Sequence, residues 1–382
     1  MRKNYLVFGQ PIIEKEEIDE ILDSLNTGWV GTGPKVARFE SDFKEYIGAS
    51  HAVAVSSCTA GLHLSVLAMG VTAQDEVIIP SMTFAATANA VIHVGAKPVF
   101  VDVLADEMTI DVEDVKRKIT AKTKAIIPVH FGGRACRIDD IEKIADEFNL
   151  KIIHDAAHAV ETEFQGKKIG SFRNIANFSF YVTKNITTVE GGMITTDNEE
   201  LAQKLKIYAL HGMSKDAWKR FSDDGYKHYE IIYPGYKYNM TDLQAAIGIQ
   251  QLKKVDQFAK RRKEIWDFYK NELKDLPLIL PPEPAPNTKH AFHLFTILVD
   301  TIKTSVTRDE LIQKLHLLKI GTGVHYIALH LQPYYQKTYG YKRGDFPNAE
   351  FISDRTLSIP FSAKLSDEDV TDVVDALKQI LE

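Results

Sequence analysis

Short apolar runs alternate with helical stretches through the first half of the chain, and this alternation constrains the fold more than any other feature of the sequence. Each run is continuously apolar rather than alternating, as is typical of strands that are buried on both faces of a parallel sheet. The runs cover residues 52–56, 76–80, 98–103, 125–129, 152–154, 178–181 and 192–196. The sequence therefore predicts an α/β fold in which helices cover a mostly parallel seven-stranded sheet.

The chain changes character near residue 250. A long helix is predicted from Thr241, and a stiff linker follows at Pro281-Pro282-Glu283-Pro284. Beyond the linker, the pattern predicts a strand and two more helices, the first of which begins at the capping box Thr307-Arg308-Asp309-Glu310. We expect a large domain over residues 1–250 and a small C-terminal α+β domain over residues 251–382.

Composition and charge argue against several classes of function. The formal net charge is −6, so the chain lacks the basic surface that binds nucleic acid or an anionic membrane. No uninterrupted apolar run is long enough to span a membrane, and the N-terminus lacks the apolar core of a signal peptide. Cys58 and Cys136 are too few for a disulfide framework and are interpreted as small buried residues. We expect a cytoplasmic protein with neither a nucleic-acid nor a membrane partner.

The stretch from His154 to Gly192 carries the strongest signs of chemistry. One apolar run ends at Asp155, and Lys184 follows a second apolar run and precedes a Glu-Gly-Gly sequence. A strand end often places a charge in an α/β crevice, and a lysine in an apolar setting is a candidate for Schiff-base formation. Pyridoxal 5′-phosphate (PLP) needs both a lysine and an acidic partner for its ring nitrogen. A structural ion pair between the two residues is the alternative interpretation.

Further candidates lie at other strand ends. The turn Ser56–Gly61 leads into a helix that Thr59 is expected to cap, and free N–H groups at such a helix start can bind a phosphate. An ordinary capped turn is the alternative there. Ser179 can supply another phosphate hydroxyl, and Phe84 can either stack on a planar cofactor or belong to the core. His158 can hydrogen-bond a cofactor oxygen, although a structural role is the default for a histidine.

Three loops are candidates for contact with a ligand. The glycine-rich loop at residues 28–34 is either a flap over a ligand or a plain helix connection. Residues 236–239 either pack before the long helix or reach a ligand, possibly across a dimer interface. His325-Tyr326 is expected to close over the same site from the small domain. The spacing of His154, Asp155 and His158 does not favour a metal site, because the run is predicted to be a strand end rather than a helix.

Taken together, the motifs resemble those of the DegT/DnrJ-type sugar aminotransferases, a family of fold-type I PLP enzymes. The resemblance extends from Pro11 to the last helix and rests on motifs that occur in the family's order. They are Ser57-x-Thr59-Ala60-Gly61, Pro80-Ser81-x-Thr83-Phe84, Asp155-Ala156-Ala157-His158, Ser179-Phe180-x-x-x-Lys184 and Glu190-Gly191-Gly192.

This resemblance implies roles for individual residues. Lys184 would hold PLP covalently and shuttle protons, and Asp155 would keep the ring nitrogen protonated. Phe84 would stack on the ring, and His158 would contact the hydroxyl side of the ring. Asn239 would reach the phosphate from the neighbouring subunit, so that the active unit would be a homodimer with shared active sites. The remaining phosphate contacts implied by the resemblance are Thr59, Ala60 and Ser179.

A closer likeness within the family is to the UDP-4-amino-4-deoxy-L-arabinose–oxoglutarate aminotransferases. It rests on the segments at 28–34, His211-Gly212 with Asp216-Ala217 and Arg220, 235–239 and 321–325. The sequence departs from the family pattern at Tyr181, where histidine is usual, and at Phe84, where tryptophan is common. Residues expected to contact the substrate are Trp29, Thr32, Tyr181, Lys237, His325 and Tyr326.

The resemblance implies transamination of a nucleotide-linked keto-sugar, with a UDP-4-keto-sugar favoured, and with L-glutamate as the donor and 2-oxoglutarate as its product. Such amino sugars serve cell-surface polysaccharide and lipopolysaccharide synthesis. Within this chemistry, the alternatives are a dTDP- or GDP-linked 4-keto-6-deoxy sugar or a 3-keto sugar. The alternatives to sugar transamination are another fold-type I activity and a PLP-fold sensor or regulator without turnover.

Overall fold

A computed structural model describes residues 2–214 and 229–382. The helices of this part of the chain are α1 (Lys15–Thr27), α2 (Pro34–Ile47), α3 (Cys58–Ala68), α4 (Ala85–His93), α5 (Val112–Lys118), α6 (Ile138–Glu147), α7 (Glu199–Ala209), α8 (Asp242–Glu272), α9 (Arg308–Leu317), α10 (Pro333–Tyr339), α11 (Pro347–Arg355) and α12 (Asp367–Leu381). The strands are β1 (His51–Val55), β2 (Glu76–Pro80), β3 (Lys97–Val101), β4 (Thr123–Ile126), β5 (Lys151–Asp155), β6 (Glu163–Phe164), β7 (Lys167–Lys168), β8 (Ile175–Ser179), β9 (Gly192–Thr196), β10 (Leu278–Ile279), β11 (Thr288–Lys289), β12 (Phe295–Val299) and β13 (Thr356–Ile359). Asp216, Ala217 and Arg220, which contribute to the family resemblance, lie outside the described residues.

The central sheet has seven strands in the order β1-β9-β8-β5-β4-β2-β3. Strand β9 is antiparallel to both of its neighbours, β1 and β8. The other neighbouring strands pair in parallel. The prediction of a mostly parallel seven-stranded sheet is therefore confirmed, and each predicted apolar run overlaps one of its strands.

Both faces of this sheet are buried, which explains why its strands read as continuous apolar runs. In β1, Val53 and Val55 face a core that contains α3, whereas Ala52 and Ala54 face a second core against α2 and α8. Successive side chains of a strand point to opposite faces, so a strand covered on both sides needs apolar residues at nearly every position. Helix α3 is itself buried almost all round and contacts β8 and β9.

The long helix α8 connects two hydrophobic cores. Its first half packs through Ala245 and Ile249 against the central sheet, and its second half packs through Trp266 and Tyr269 in the C-terminal core. That second core also contains strands β12 and β13, which pair with each other in antiparallel, and the N-terminal residue Leu6. The proposed domain boundary at residue 250 falls inside α8, and the division into residues 1–250 and 251–382 stays a prediction.

Some local features differ from the sequence-based expectation. Ser57, rather than Thr59, is the N-cap of α3, because its Oγ accepts a hydrogen bond from the amide of Ala60. Helix α7 and the short strands β6, β7, β10 and β11 were not anticipated.

Within residues 2–214 and 229–382, no helix combines the length and apolarity needed to cross a membrane. The same residues contain no cluster of three or more His, Cys, Asp or Glu side chains suited to a metal ion.

Candidate active site

A cavity of about 490 Å³ opens where the carboxyl ends of β1, β2, β5 and β8 meet. In a parallel sheet this edge is where ligands bind, because the strand ends and helix starts converge there. The residues predicted from sequence that line this cavity are Thr59, Phe84, Asp155, His158, Ser179, Tyr181, Lys184, His325 and Tyr326. The structure thus brings Lys184 and Asp155, the predicted catalytic pair, together with most of the expected cofactor contacts.

Asp155 is the last residue of β5 and is almost completely buried at this edge. Its Oδ2 accepts a hydrogen bond from Thr87 Oγ1 at 2.8 Å, and its Oδ1 accepts one from the amide of Ala157 at 3.2 Å. Burial raises the pKa of Asp155, while these two hydrogen bonds and the charge of Lys184 oppose the shift. A buried carboxylate in this setting is stabilised by any further cation that enters the cavity.

Thr87 and Thr83 are site residues that the sequence analysis did not identify. Thr87 Oγ1 lies 2.8 Å from Thr83 Oγ1, and because Thr87 donates to Asp155 it accepts the hydrogen bond from Thr83. Thr87 lies in the first turn of α4, and Thr83 lies just before Phe84, the N-cap of that helix. Their four-residue spacing was the available signal, but it does not reveal which residue they contact.

Lys184 lies in the loop between β8 and β9 and extends into the cavity. Burial lowers the pKa of Lys184 to about 8, although Cys58 and Asp155 oppose the shift. Among the described residues, no hydrogen bond or salt bridge to Nζ is present. About a tenth of this amine is therefore uncharged and nucleophilic at pH 7, far more than for an ordinary lysine.

The phosphate end of the predicted cofactor site is the N-terminus of α3. The amides of Cys58 and Thr59 have no acceptor within the helix and carry its positive dipole end. Gly192 permits this arrangement, because a Cβ at this position would lie 2.6 Å from both Cys58 N and Ser57 C. The amide of Ala60 donates to Ser57 Oγ at 3.1 Å, and Ala60 does not line the cavity, so its predicted phosphate contact stays a prediction.

His158 presents a defined nitrogen to the cavity. Its Nδ1 accepts a hydrogen bond from the amide of Gly132 at 3.2 Å, and burial holds the pKa of His158 well below its usual range. A neutral imidazole whose Nδ1 is an acceptor carries its proton on Nε2. That Nε2–H lies 3.4 Å from Tyr326 Oη and can donate to an oxygen in the cavity.

The aromatic side chains at the cavity are placed to cover a planar group. The ring of Phe84 is 60% exposed although it sits at the N-cap of α4, and its centroid lies 6.0 Å from that of Tyr326. Exposure of a phenylalanine at a cavity wall argues against a role in the core alone. Tyr181 is 45% exposed at the same cavity.

The other predicted substrate residues line a different cavity of about 820 Å³. Trp29, Thr32, Lys237 and Asn239 are all part of its wall, together with residues of α2 and α7. Asn239 Nδ2 donates to Thr32 Oγ1 at 2.6 Å, and Lys237 Nζ donates to Asn239 Oδ1 at 2.6 Å. Within one chain these residues therefore do not reach the cavity that contains Lys184.

The residues of the Lys184 cavity fit PLP. A buried carboxylate with a raised pKa matches the pyridinium nitrogen, and an amine with a lowered pKa matches the aldehyde carbon. An exposed aromatic ring, a neutral imidazole with Nε2–H and a helix N-terminus with nearby hydroxyl groups match the ring face, the ring hydroxyl and the phosphate, respectively.

The chain is similar to known proteins over nearly its whole length. Residues 11–378 match the DegT/DnrJ/EryC1/StrS aminotransferase family. The spore coat polysaccharide biosynthesis protein SpsC of Bacillus subtilis is 48% identical over 383 residues, which cover 100% of this chain and 98% of SpsC.

Two solved structures illustrate the likeness of the fold. Spr1654 from Streptococcus pneumoniae, assigned as a sugar aminotransferase, matches in its PMP form with a TM-score of 0.91 and 32% identity over 98% of this chain and 97% of its own. Helicobacter pylori PseC, an aminotransferase involved in the biosynthesis of pseudoaminic acid, matches with a TM-score of 0.91 and 29% identity over 99% of each chain.

Proposed function

We propose that this chain, which belongs to the DegT/DnrJ/EryC1/StrS aminotransferase family, transfers the amino group of L-glutamate to a keto-sugar carried on a nucleotide. The protein is a PLP-dependent aminotransferase of sugar biosynthesis. The single observation that carries the finer proposal is the convergence of Lys184 and Asp155, with a helix N-terminus, on one cavity.

PLP, when bound, supplies an electron sink for the pair released when a proton leaves the carbon next to nitrogen. Lys184 Nζ accepts that proton from Cα of glutamate in the first half of the reaction. In the second half, Lys184 Nζ donates a proton to the sugar carbon that receives nitrogen. Its lowered pKa suits both tasks, because a base that must also act as an acid works best near the ambient pH.

Asp155 supplies the negative charge opposite the ring nitrogen. Its hydrogen bonds from Thr87 and the Ala157 amide favour the ionised carboxylate and oppose the effect of burial, which raises the pKa of Asp155. With PLP bound, His158 would donate from Nε2 to the ring hydroxyl, and Phe84 would cover the ring and exclude water. These residues orient the reacting carbon for proton transfer by Lys184.

The substrate assignment draws on the relatives. SpsC acts in polysaccharide biosynthesis and PseC in pseudoaminic acid biosynthesis, which supports an amino sugar for a cell-surface glycan. A UDP-linked 4-keto-sugar is the favoured acceptor. The cytoplasmic location also stays a prediction from the sequence.

We further propose a homodimer in which Asn239 of one subunit completes the site of the other. The exposed residues of α1 and the loop that follows it support this arrangement, because apolar side chains recur along one exposed surface. These residues are Ile18, Leu22, Leu25, Trp29 and Val30, which are 45–52% exposed. The separate cavity of Asn239 and Trp29 would then face the Lys184 cavity of the partner.

A desulfurase activity is not favoured, because it needs a mobile nucleophilic cysteine. Cys58 is buried, its Sγ lies 3.6 Å from the carbonyl oxygen of Asn177, and burial raises the pKa of Cys58 well above its usual range. A thiol in this state is a poor nucleophile.

The activity is tested by half-reactions and by a substrate panel. Purified protein saturated with PLP should convert glutamate to 2-oxoglutarate once per site, and the aminated form should then react with UDP-4-keto-sugars faster than with dTDP-, GDP- or 3-keto analogues. Lys184→Ala should bind PLP without the absorbance band of the covalently held cofactor. A wild-type protein that binds PLP but yields no 2-oxoglutarate would instead support the sensor role.

The shared site is tested by mixing two inactive variants, Lys184→Ala and Asn239→Asp. If Asn239 acts across the interface, each mixed dimer regains one intact site, and random exchange restores about a quarter of wild-type activity. If Asn239 acts within its own chain, mixing restores nothing, and if it plays no part, Asn239→Asp is active by itself. Each variant alone, put through the same exchange procedure, is the control.

A further inference from the structure

A buried ion pair lies next to the catalytic lysine without touching the cofactor cavity. Glu161 and Arg262 are fully or almost fully buried and are joined by a salt bridge through Arg262 Nη2. Glu161 belongs to the large central unit, and Arg262 lies on α8 where that helix passes towards the C-terminal core. Burying such a pair is costly unless further hydrogen bonds satisfy its remaining atoms.

Asn185, the residue after Lys184, supplies one of those hydrogen bonds. Its Nδ2 donates to Glu161 Oε2 at 2.7 Å and to the carbonyl oxygen of Ala291 at 2.9 Å. Both partners are acceptors only, so the orientation of the Asn185 amide is fixed. Its Oδ1 is therefore the atom that lies 2.9 Å from His293 Nδ1.

This orientation determines the tautomer of His293. Because Oδ1 of Asn185 can only accept, His293 Nδ1 must carry the proton and donate it. Burial holds the pKa of His293 well below its usual range, so the ring is neutral and its Nε2 is an unprotonated acceptor. The ring of His293 packs against that of His158, with centroids 4.3 Å apart and planes inclined by 34°, and His158 has the opposite tautomer, with its proton on Nε2.

The two imidazoles thus present one hydrogen-bond donor, Nε2–H of His158, and one acceptor, Nε2 of His293, near Lys184. Lys184 lines the cofactor cavity with His158, and it also lines a smaller cavity of about 20 Å³ with Asn185 and His293. Lys184 therefore forms part of the wall of both cavities. Among the described residues, Lys184 Nζ has no hydrogen-bond partner. Nε2 of His293 is therefore an acceptor that Lys184 Nζ can still engage.

We propose that Asn185 and His293 are positioning residues for Lys184: Asn185 fixes the tautomer of His293, and His293 Nε2 then accepts a hydrogen bond from Lys184 Nζ once bound glutamate has displaced that amine from the cofactor. The hydrogen bond directs the amine towards the carbon that it must protonate or deprotonate. The Glu161–Arg262 pair anchors Asn185 and has no direct contact with the reaction. This inference rests on the proposed function, because it assigns His293 a part in the proton transfer by Lys184.

The tautomers are tested without any activity measurement. Imidazole ¹⁵N NMR of the cofactor-free protein should show His293 protonated at Nδ1 and His158 protonated at Nε2, with neither ring charged at neutral pH. A His293→Gln sample assigns the His293 signals. Protonation of His293 at Nε2 would overturn the proposal, whatever the enzyme does.

Two substitutions separate positioning from simple structural support. His293→Gln places a carbonyl oxygen near the position of Nε2, whereas His293→Asn places its amide near Nδ1 and keeps only the hydrogen bond to Asn185. We expect His293→Gln to retain the rate of the glutamate half-reaction within about threefold, and His293→Asn to lose about tenfold or more, as for one lost hydrogen bond to a reacting group. The thermal midpoints of the two variants serve as the control for folding.

The opposite ranking, with His293→Asn as active as the wild type, would show that only the structural hydrogen bond matters and would overturn the proposal. Failure of the proposed function itself is distinguishable, because the wild-type protein would then show no half-reaction while the NMR result still stands. If neither variant folds, the NMR measurement on the wild type decides, with the His293 signals assigned by through-bond correlation to its own backbone.

Discussion

The substitution Thr87→Val tests whether the hydrogen bond to Asp155 matters as much as the structure implies. It replaces the hydroxyl by a methyl group of similar size at a position with no solvent exposure. The 2.8 Å bond from Thr87 Oγ1 is the shorter of the two that Asp155 receives, the other being 3.2 Å from the Ala157 amide. The substitution therefore removes the stronger support of a buried carboxylate.

The expected magnitude follows from the energetics of bonds to charged groups. Such a hydrogen bond contributes about 1.5–3 kcal/mol, and its loss should raise the pKa of Asp155 further. The ionised form of Asp155 is the form that stabilises a cationic ring nitrogen. Affinity for PLP and the rate of the glutamate half-reaction should therefore each fall by about tenfold or more.

The assay is an absorbance titration of cofactor-free protein with PLP, followed by single-turnover reaction with glutamate. Thr87→Ser keeps the hydroxyl and is the matched control, so it should remain close to the wild type. Thr83→Val removes only the hydrogen bond that supports Thr87 and should have a smaller effect. If Thr87→Val binds PLP and reacts as the wild type does, while Asp155→Asn is strongly impaired, the carboxylate does not depend on Thr87 and the reasoning is refuted.

Further predictions concern the amine, the phosphate end and the thiol. The rate of PLP capture by the cofactor-free protein should rise with pH through about 8, following the neutral fraction of Lys184; a midpoint near 10.5 would contradict the effect of burial. Because the folded-state pKa of Lys184 is depressed, Lys184→Met should stabilise the cofactor-free protein below about pH 8, and calorimetry should show this gain shrinking as pH rises towards 10.5. Gly192→Ala should weaken PLP binding at least tenfold, since its Cβ would displace the backbone at Ser57 and Cys58; equilibrium dialysis showing unchanged affinity would contradict the close approach. Cys58 should react with iodoacetamide only after unfolding, as mass spectrometry can establish, because its buried thiol is not ionised.

The sequence was sufficient to predict the central sheet because burial on both faces leaves a signal at every position. Strand β9 was predicted with the bounds that the structure has, and the capping box at Thr307 correctly marked the start of α9. The convergence of Asp155 and Lys184 followed from strand ends that meet at one edge of a parallel sheet. Local patterns of this kind depend only on residues that are close together in the sequence.

The parts that could not be predicted depend on contacts between distant segments. Nothing near Thr87 in the sequence indicates that its hydroxyl meets Asp155, and the whole of α8 lies between Asn185 and His293 in the chain. Ser57 and Thr59 are both plausible caps from sequence, and only the backbone geometry decides between them. The assignment of Asn239 to a second cavity likewise needed the three-dimensional arrangement.

The antiparallel strand β9 has a consequence for the order in which the site assembles. Its pairing with β8 joins Ser179 to Gly192, so the turn that carries Lys184 is closed by residues that are near in sequence. Closing a short loop loses little chain entropy and is fast. Asp155 instead joins the site through parallel pairing of β5 with β4 and β8, which requires contacts of larger sequence separation. The amine-bearing hairpin is therefore expected to reach its native shape early in folding, and the surroundings of the carboxylate to be completed afterwards.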